Sequence, residues 1–330
     1  MARMKAITLI RPQMENPLAA VEILEREEPV AQDGWTTVDI KAASLNHHDV
    51  WNMRGVGVDP SWLPCVLGSD GAGIDAEGNE VIVYPLIADP ARGGGDETLD
   101  PRRRMLADGI DGTFAARVAV PRANLVPKPA ALSWETAACL GTAWLTAYRM
   151  LFRAAALKSG DNILVQGAGG GLSTALVQLA KASGIRVWVT SRNEARGTRA
   201  VEDVGADAWF PAGERLPERV DAVMDSAGEA TFEHSLKALR PGGVLVTAGA
   251  TGGAAPRVDL TRVFLNQLRV VGTAMGTADE LRALAELCAT AQIEPVIDSV
   301  HDLRDGLAGI ERMVSGEVFG KVLLRPEPTG

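Results

Sequence analysis

The stretch Val165-Gln166-Gly167-Ala168-Gly169-Gly170-Gly171-Leu172-Ser173 decides the fold. It closes an apolar run, Asn162 to Gln166 (NILVQ), and leads straight into a helical pattern from Leu172 to Ala182. An apolar strand, a glycine turn and a helix in immediate succession form one arm of a βαβ unit. Glycines at such a turn bare backbone N–H groups at the positive end of a helix, and a diphosphate needs both. Strict GxGxxG spacing is not met, because after Gly170 and Gly171 the third glycine position is held by Leu172. Placement between strand and helix carries the reading instead.

Outward from the turn the rhythm repeats. Arg186 to Thr190 (RVWVT) reads as a second strand with a helical pattern after it to Val204, and Asp221 to Asp225 (DAVMD) and Val244 to Thr247 (VLVT) continue the scheme. Such alternation predicts an α/β fold, a doubly wound parallel sheet with helices on both faces. A nucleotide site for NAD places a carboxylate about 20 residues past the first glycine. Here the second strand ends Val189-Thr190-Ser191-Arg192. Arg192 can grip a 2′-phosphate by a forked contact and Ser191 can donate to it, so NADPH is the expected cofactor. The plainer alternative is an exposed arginine at a helix start. A later helix is expected over Ala278 to Thr290, opened by a capping box of Thr277 and Glu280.

Toward the N-terminus the period changes to two. Val38, Ile40 and Ala42 alternate with Asp39 and Lys41, as a half-buried strand requires, and Glu80 to Tyr84 is another apolar strand. Residues 88 to 112, rich in Gly, Asp, Arg and Pro, read as a long surface excursion. Its basic run Arg102-Arg103-Arg104 sits among Asp96, Glu97, Asp100 and Asp108 and reads as a solvated loop.

Bulk properties narrow the function classes. With 330 residues, 46% of them hydrophobic, the chain has material for about two domains with real cores. A net charge of −9 opposes binding to a polyanion, since phosphates are neutralised by Lys and Arg. Cys65, Cys139 and Cys288 lie too far apart for a disulfide framework or a CxxC site, which fits a reducing compartment. No signal-peptide core and no apolar run of about 18 residues is present, so a cytoplasmic location is expected.

Taken together, the motifs resemble the medium-chain dehydrogenase/reductase superfamily, in particular its zinc-free quinone oxidoreductase branch, over nearly the whole chain. Ser44 to Asp49 (SLNHHD), Pro64 to Gly73 (PCVLGSDGAG), Thr142 to Tyr148 (TAWLTAY), the glycine turn and Phe319 to Leu323 (FGKVL) carry the likeness in the family's order. The resemblance implies a Rossmann sheet inserted in a GroES-like, mainly β catalytic domain. Residues 1–124 and 262–330 would form the catalytic domain, residues 125–261 the NADPH-binding domain, and the active site would lie in the cleft between them. It also implies cofactor contacts at Asn46, Thr142, Gly167, Gly170, Gly171, Ser226, Ala248, Gly249 and Lys321, beside Ser191 and Arg192, and a homodimer.

Zinc-dependent members of that superfamily hold the metal with Cys, His and Cys. Their places are taken here by Asn46, Ser69 and Thr142, an amide and two hydroxyls, which are poor zinc ligands. Residues 86 to 113 contain no cysteine for a structural zinc lobe. His47, His48 and Asp49, read as neighbours on a strand, would point to alternate faces and make no improvised site. No metal is expected.

Without a Lewis acid the substrate must be electrophilic itself, as quinones and α,β-unsaturated carbonyls are. Asn46 is then expected to orient the nicotinamide ribose or to donate to the developing oxyanion, or else to be a buried structural amide. His48 is the candidate general acid, with a packed or cofactor-contacting histidine as the alternative. Trp51, Trp62 and Trp144 line an apolar pocket or belong to the core. The leading reading is NADPH-dependent reduction of an enone, enoyl compound or quinone. A zinc-independent carbonyl or alcohol dehydrogenase with a His48 relay, and a non-enzymatic NADPH-binding protein, remain alternatives.

Overall fold

Six short apolar runs from the second half of the chain pair into a parallel sheet, as seen in a computed structural model describing residues 2–326. They are β1 (Asn162–Gln166), β2 (Arg186–Ser191), β3 (Ala208–Pro211), β4 (Val220–Asp225), β5 (Leu239–Thr247) and β6 (Arg269–Gly272). Their order is β3-β2-β1-β4-β5-β6, with every neighbouring pair parallel. All five residues of β1 are buried, as a strand covered by helices on both faces must be. Val165 of β1 lies between Val189 of β2 and Met224 of β4. Strand order reverses between β1 and β4, and in open α/β sheets ligands bind at the carboxyl ends beside such a switch point. The helix Gly171–Ala182 buries Ala175, Leu176, Leu179 and Ala180, in i, i+1, i+4, i+5 spacing.

The chain divides into two compact units, Met1–Ala143 with Thr277–Gly330, and Trp144–Gly276. In the first, a seven-stranded sheet is built on Trp35–Ser44, which pairs antiparallel with Asp70–Asp75, Arg117–Pro121 and Lys321–Arg325. Thr36, Val38 and Ile40 are buried in the expected alternation. Val38, Ile40, Leu67, Phe114, Val322 and Leu324 share one apolar core, so strands from both ends of the chain close it. The architecture is a doubly wound Rossmann sheet inserted in a mainly β, GroES-like domain. The helix Ala278–Ala291 begins with the expected capping box: Glu280 N–H donates to Thr277 Oγ1 at 3.1 Å and Thr277 N–H to Glu280 Oε2 at 2.8 Å.

One reading changes, and the 88–112 excursion gains an anchor. His47, His48 and Asp49 open a helix, His47–Arg54, rather than continuing a strand. Asn46 is its N-cap and Asp49 completes a capping box, with Asn46 N–H donating to Asp49 Oδ2 at 2.8 Å. The excursion 88–112 is tied down. Asp100, with no exposed surface, accepts from the backbone N–H of Asp89 and of Arg102, both at 2.8 Å, and from Arg92 Nη2 at 2.7 Å. The Arg92 guanidinium holds the Asp100 carboxyl well below the usual range. Arg102, Arg103 and Arg104 are exposed, as expected of a solvated run.

Candidate active site

At the glycine turn, Gly167 has φ +104°, a conformation that L side chains avoid. A Cβ at Gly167 or Gly170 would meet only Ser173 Oγ, 3.6 Å away, so the missing side chains leave open room beside the turn. Gly170 caps the helix Gly171–Ala182 with no side-chain cap, leaving its first N–H groups for an outside acceptor. Room and donors both fit a dinucleotide diphosphate. Ser226 follows β4 and Ala248 and Gly249 follow β5; Ala248 N–H donates to Asp225 O at 3.0 Å and Thr251 N–H to Ser226 O at 3.2 Å, so these loops lie side by side. Gly167, Gly170, Gly171, Ser191, Arg192, Ser226, Ala248 and Gly249 thus all stand at the carboxyl ends of parallel strands. Arg192 is exposed. Ser191 is committed locally: its hydroxyl donates to Asn193 O at 2.7 Å and accepts from Asn193 N–H at 3.1 Å.

The other expected residues converge in the first unit. Ser44 and Asp70 are register partners on adjacent antiparallel strands, and Lys321 opens the strand on the opposite side of Trp35–Ser44. Gly320, at φ +103°, makes the turn that aims Lys321, since a Cβ there would stand 2.2 Å from Val296 O. The Lys321 ammonium donates to Leu45 O and Asn46 Oδ1, both at 2.7 Å, and lies 3.5 Å from Asp70 Oδ2. Asn46 Nδ2 reaches Ser69 Oγ at 3.3 Å, Ser69 Oγ lies 3.2 Å from Thr142 Oγ1, and Thr142 donates to Asp70 Oδ1 at 2.6 Å. Ser44 Oγ donates to Asp70 Oδ2 at 3.1 Å. Thr142 lies in a π-helical stretch, Leu140–Trp144. Asn46, Ser69, Asp70, Thr142 and Lys321 therefore form one closed network around a buried ion pair, and sequence reasoning had missed Asp70.

This network does not fit zinc. Asn46 turns its amide nitrogen toward the hydroxyls and its oxygen toward an ammonium, and the Thr142 hydroxyl is bound to a carboxylate. Neither thiolate nor imidazole is in the set, and zinc favours both. Burial pushes the Cys139 thiol up to about 12, so it stays protonated in the core.

His48 belongs to a separate group. Its Nε2 lies 3.0 Å from Asp108 Oδ1, and Asn52 Nδ2 donates to the same oxygen at 3.1 Å. Burial works against the charged ring, but the hydrogen bond and charge of Asp108 outweigh it, and the pKa is raised. Of the three tryptophans, Trp144 is fully buried, while Trp51 and Trp62 are half-buried against Arg54 and Arg104.

Asp49 carries a testable pH dependence. Its carboxylate is buried, accepting from Asn46 N–H at 2.8 Å and Gly68 N–H at 3.2 Å. Burial raises its pKa to about 6. A carboxyl whose folded pKa is raised stabilises the fold at low pH, and that contribution fades as pH climbs through the folded value. From pH 5 to pH 8 the loss amounts to about 1.4 kcal/mol for this group. Asp49→Asn removes the slope and leaves a roughly constant cost for the mispaired amide. Urea midpoints at pH 5, 6.5 and 8 check it: parallel curves for the two proteins would show that Asp49 does not titrate in this range.

The GroES-like half and the nucleotide half are each matched by a family: "Alcohol dehydrogenase GroES-like domain" over residues 32–130 and "Zinc-binding dehydrogenase" over residues 171–290. A crotonyl-CoA reductase of Streptomyces avermitilis is 28% identical over 88% of this chain and 78% of its own length. The crystal structure of an NAD-dependent alcohol dehydrogenase is 32% identical, covers 98% of this chain and 99% of its own, and superposes with a TM-score of 0.89. A crotonyl-CoA carboxylase/reductase solved in complex with NADP shares the fold, with a TM-score of 0.89 at 23% identity over 99% of this chain and 96% of its own. With both halves matched and 32% identity to the NAD-dependent alcohol dehydrogenase held over 98% of the chain, the chain belongs to the medium-chain dehydrogenase/reductase superfamily.

Proposed function

We propose that the protein is an NADPH-dependent oxidoreductase that reduces an activated carbon–carbon double bond, in an enoyl thioester, an enone or a quinone, without catalytic zinc. The observation that carries this reading is the network at Asn46, Ser69 and Thr142, closed around the Asp70–Lys321 ion pair. Those groups offer hydrogen bonds and a fixed positive charge but no Lewis acid of zinc's kind, so the substrate supplies its own electron sink. The likeness to a crotonyl-CoA reductase supports the substrate class. NADPH, when bound, supplies the hydride.

The chain's own residues have separable tasks. Lys321 holds the Asn46 amide in one orientation, and with Nδ2 turned to Ser69 and Ser44 the remaining lone pair of Oδ1 accepts from a ribose hydroxyl without reorganising. Bare N–H groups at Gly170 and Gly171 receive the diphosphate, and Arg192 receives the 2′-phosphate, the Ser191 hydroxyl being committed to its own turn. His48, its pKa raised by the hydrogen bond and charge of Asp108, delivers the proton that follows the hydride. His48→Gln is expected to lower kcat about 10-fold or more and to flatten its pH profile between pH 6 and 8. A wild-type profile in that variant would assign His48 to the fold alone.

The decisive assay is turnover of NADPH on a crotonyl thioester, a cyclic enone, a quinone and an aldehyde, alongside elemental analysis of the same preparation. Alkene or quinone reduction that survives chelators supports the reading. Aldehyde turnover that tracks stoichiometric zinc sinks it, and tight NADPH binding with no turnover would favour a binding protein.

A second copy of the chain completes this reading. Strand β6 ends the parallel sheet, and the helix Leu260–Leu265 that precedes it buries none of its residues, with Leu260 and Phe264 69% and 64% exposed. Apolar surface of that kind beside an open sheet edge is a site for self-association. Light scattering should give twice the chain mass; a monomer at micromolar concentration would remove the dimer. Among the described residues no helix is long and apolar enough to cross a membrane.

A further inference from the structure

We infer that Gln166 is the positioning residue of the dinucleotide site, setting the mutual placement of three strand-end loops. It is the last residue of β1, directly before the glycine turn, and is buried. A glutamine amide has one oxygen and two N–H groups, and here every one is engaged. Oε1 accepts from Thr190 Oγ1 at 2.7 Å; Nε2 lies 3.0 Å from both His234 Nδ1 and Ser235 Oγ.

Each contact leads to a different loop. Thr190 Oγ1 in turn accepts from the Gly167 N–H at 3.3 Å, so the threonine that precedes Ser191 and Arg192 is clipped to the first residue of the glycine turn. Ser235 donates to Asp225 Oδ2 at 2.7 Å and therefore accepts from Gln166. Asp225, at the end of β4 and with no exposed surface, accepts from Ala227 N–H at 2.8 Å and Gly228 N–H at 3.0 Å, and so shapes the loop that carries Ser226. His234 Nε2 donates to Glu214 O at 2.7 Å, which leaves Nδ1 as the acceptor and specifies which way the Gln166 amide faces. One buried amide thus links the turn for the diphosphate, the segment bearing Arg192 and the loop bearing Ser226. An apolar residue at 166 would satisfy β1 packing but leave these loops without a common reference, and a misplaced anion site loses affinity far more than it loses fold.

This inference rests on the reading that NADPH occupies the turn. The test compares Gln166→Met, which keeps length and apolar bulk, with Thr190→Val and Thr190→Ser, measuring NADPH binding by fluorescence titration, KM, kcat and thermal midpoint. Gln166→Met and Thr190→Val are expected to raise the Kd and KM for NADPH about 10-fold while kcat at saturating cofactor stays within about twofold. Thr190→Ser retains the hydroxyl and restores near wild-type Kd. Should Gln166→Met fail to fold, the Thr190 pair alone decides. Unchanged Kd and KM in folded variants, with only a lower thermal midpoint, overturns the inference while leaving the cofactor assignment standing. A wild-type protein that binds neither NADPH nor NADH removes that assignment and the inference together.

Discussion

Replacing Arg192 with alanine is expected to weaken NADPH binding about 30-fold and to change NADH binding by less than about twofold, because a charged hydrogen-bonded contact to the 2′-phosphate is worth about 1.5–3 kcal/mol. The strand β2 carries no carboxylate at its end, where an NAD site would place one to hold the ribose hydroxyls. Arg192 stands there instead, exposed and free to meet a ligand from solvent. Ser191 cannot serve as a second donor without breaking its bond to Asn193 O, so we assign the discrimination to the guanidinium. An exposed side chain of this kind costs the fold little when truncated, within about 0.5 kcal/mol, which keeps the binding result interpretable. Arg192→Lys should recover part of the loss, since it restores charge without the fork. Isothermal titration with both cofactors checks the expectation; equal losses for NADPH and NADH would show that Arg192 does not see the 2′-phosphate.

What could be read in advance divides by the range of the interaction. The parallel sheet was legible because a buried strand and its glycine turn are local signals: Asn162–Gln166 is the strand expected from NILVQ, and the helix begins at Gly171, one residue before the expected Leu172. The capping box of Thr277 and Glu280 was legible for the same reason. At His47 to Asp49 a local signal was present but outvoted. The alternating run through Ala42 suggested more strand, whereas the Asn46-x-x-Asp49 spacing marks a helix start. Long-range partners leave no local trace. Asp70 and Lys321 are 251 positions apart, and nothing around either residue names the other. The Asp100 knot is hidden differently, among so many charges in residues 88–112 that composition alone reads as loop. In the sequence Gln166 reads only as the end of a strand, since only the folded sheet brings Thr190, His234 and Ser235 around it.

Lys321→Met is expected to cost about 3–5 kcal/mol of stability, the penalty for stranding one charge of a buried pair. Lys321 and Asp70 are 2% and 0% exposed, so water cannot take over when the ammonium is removed. Asp70 keeps the Ser44 and Thr142 hydroxyls as donors, at 3.1 and 2.6 Å, but no countercharge. Asn46 Oδ1 and Leu45 O lose their common donor at the same time. Methionine fills the space of the aliphatic stem, so little of the loss comes from a cavity. The double variant Lys321→Met with Asp70→Asn separates the causes: if the stranded charge dominates, it recovers about half or more of the lost stability, as coupled neighbours do. Catalysis should not recover with it, because the Asn46 amide still lacks the donor that holds its orientation. Urea unfolding together with NADPH turnover at low temperature reads both quantities. A single variant with the wild-type midpoint would mean the pair is not buried in solution, and a double variant with full turnover would mean that Lys321 serves the fold and not the amide beside it.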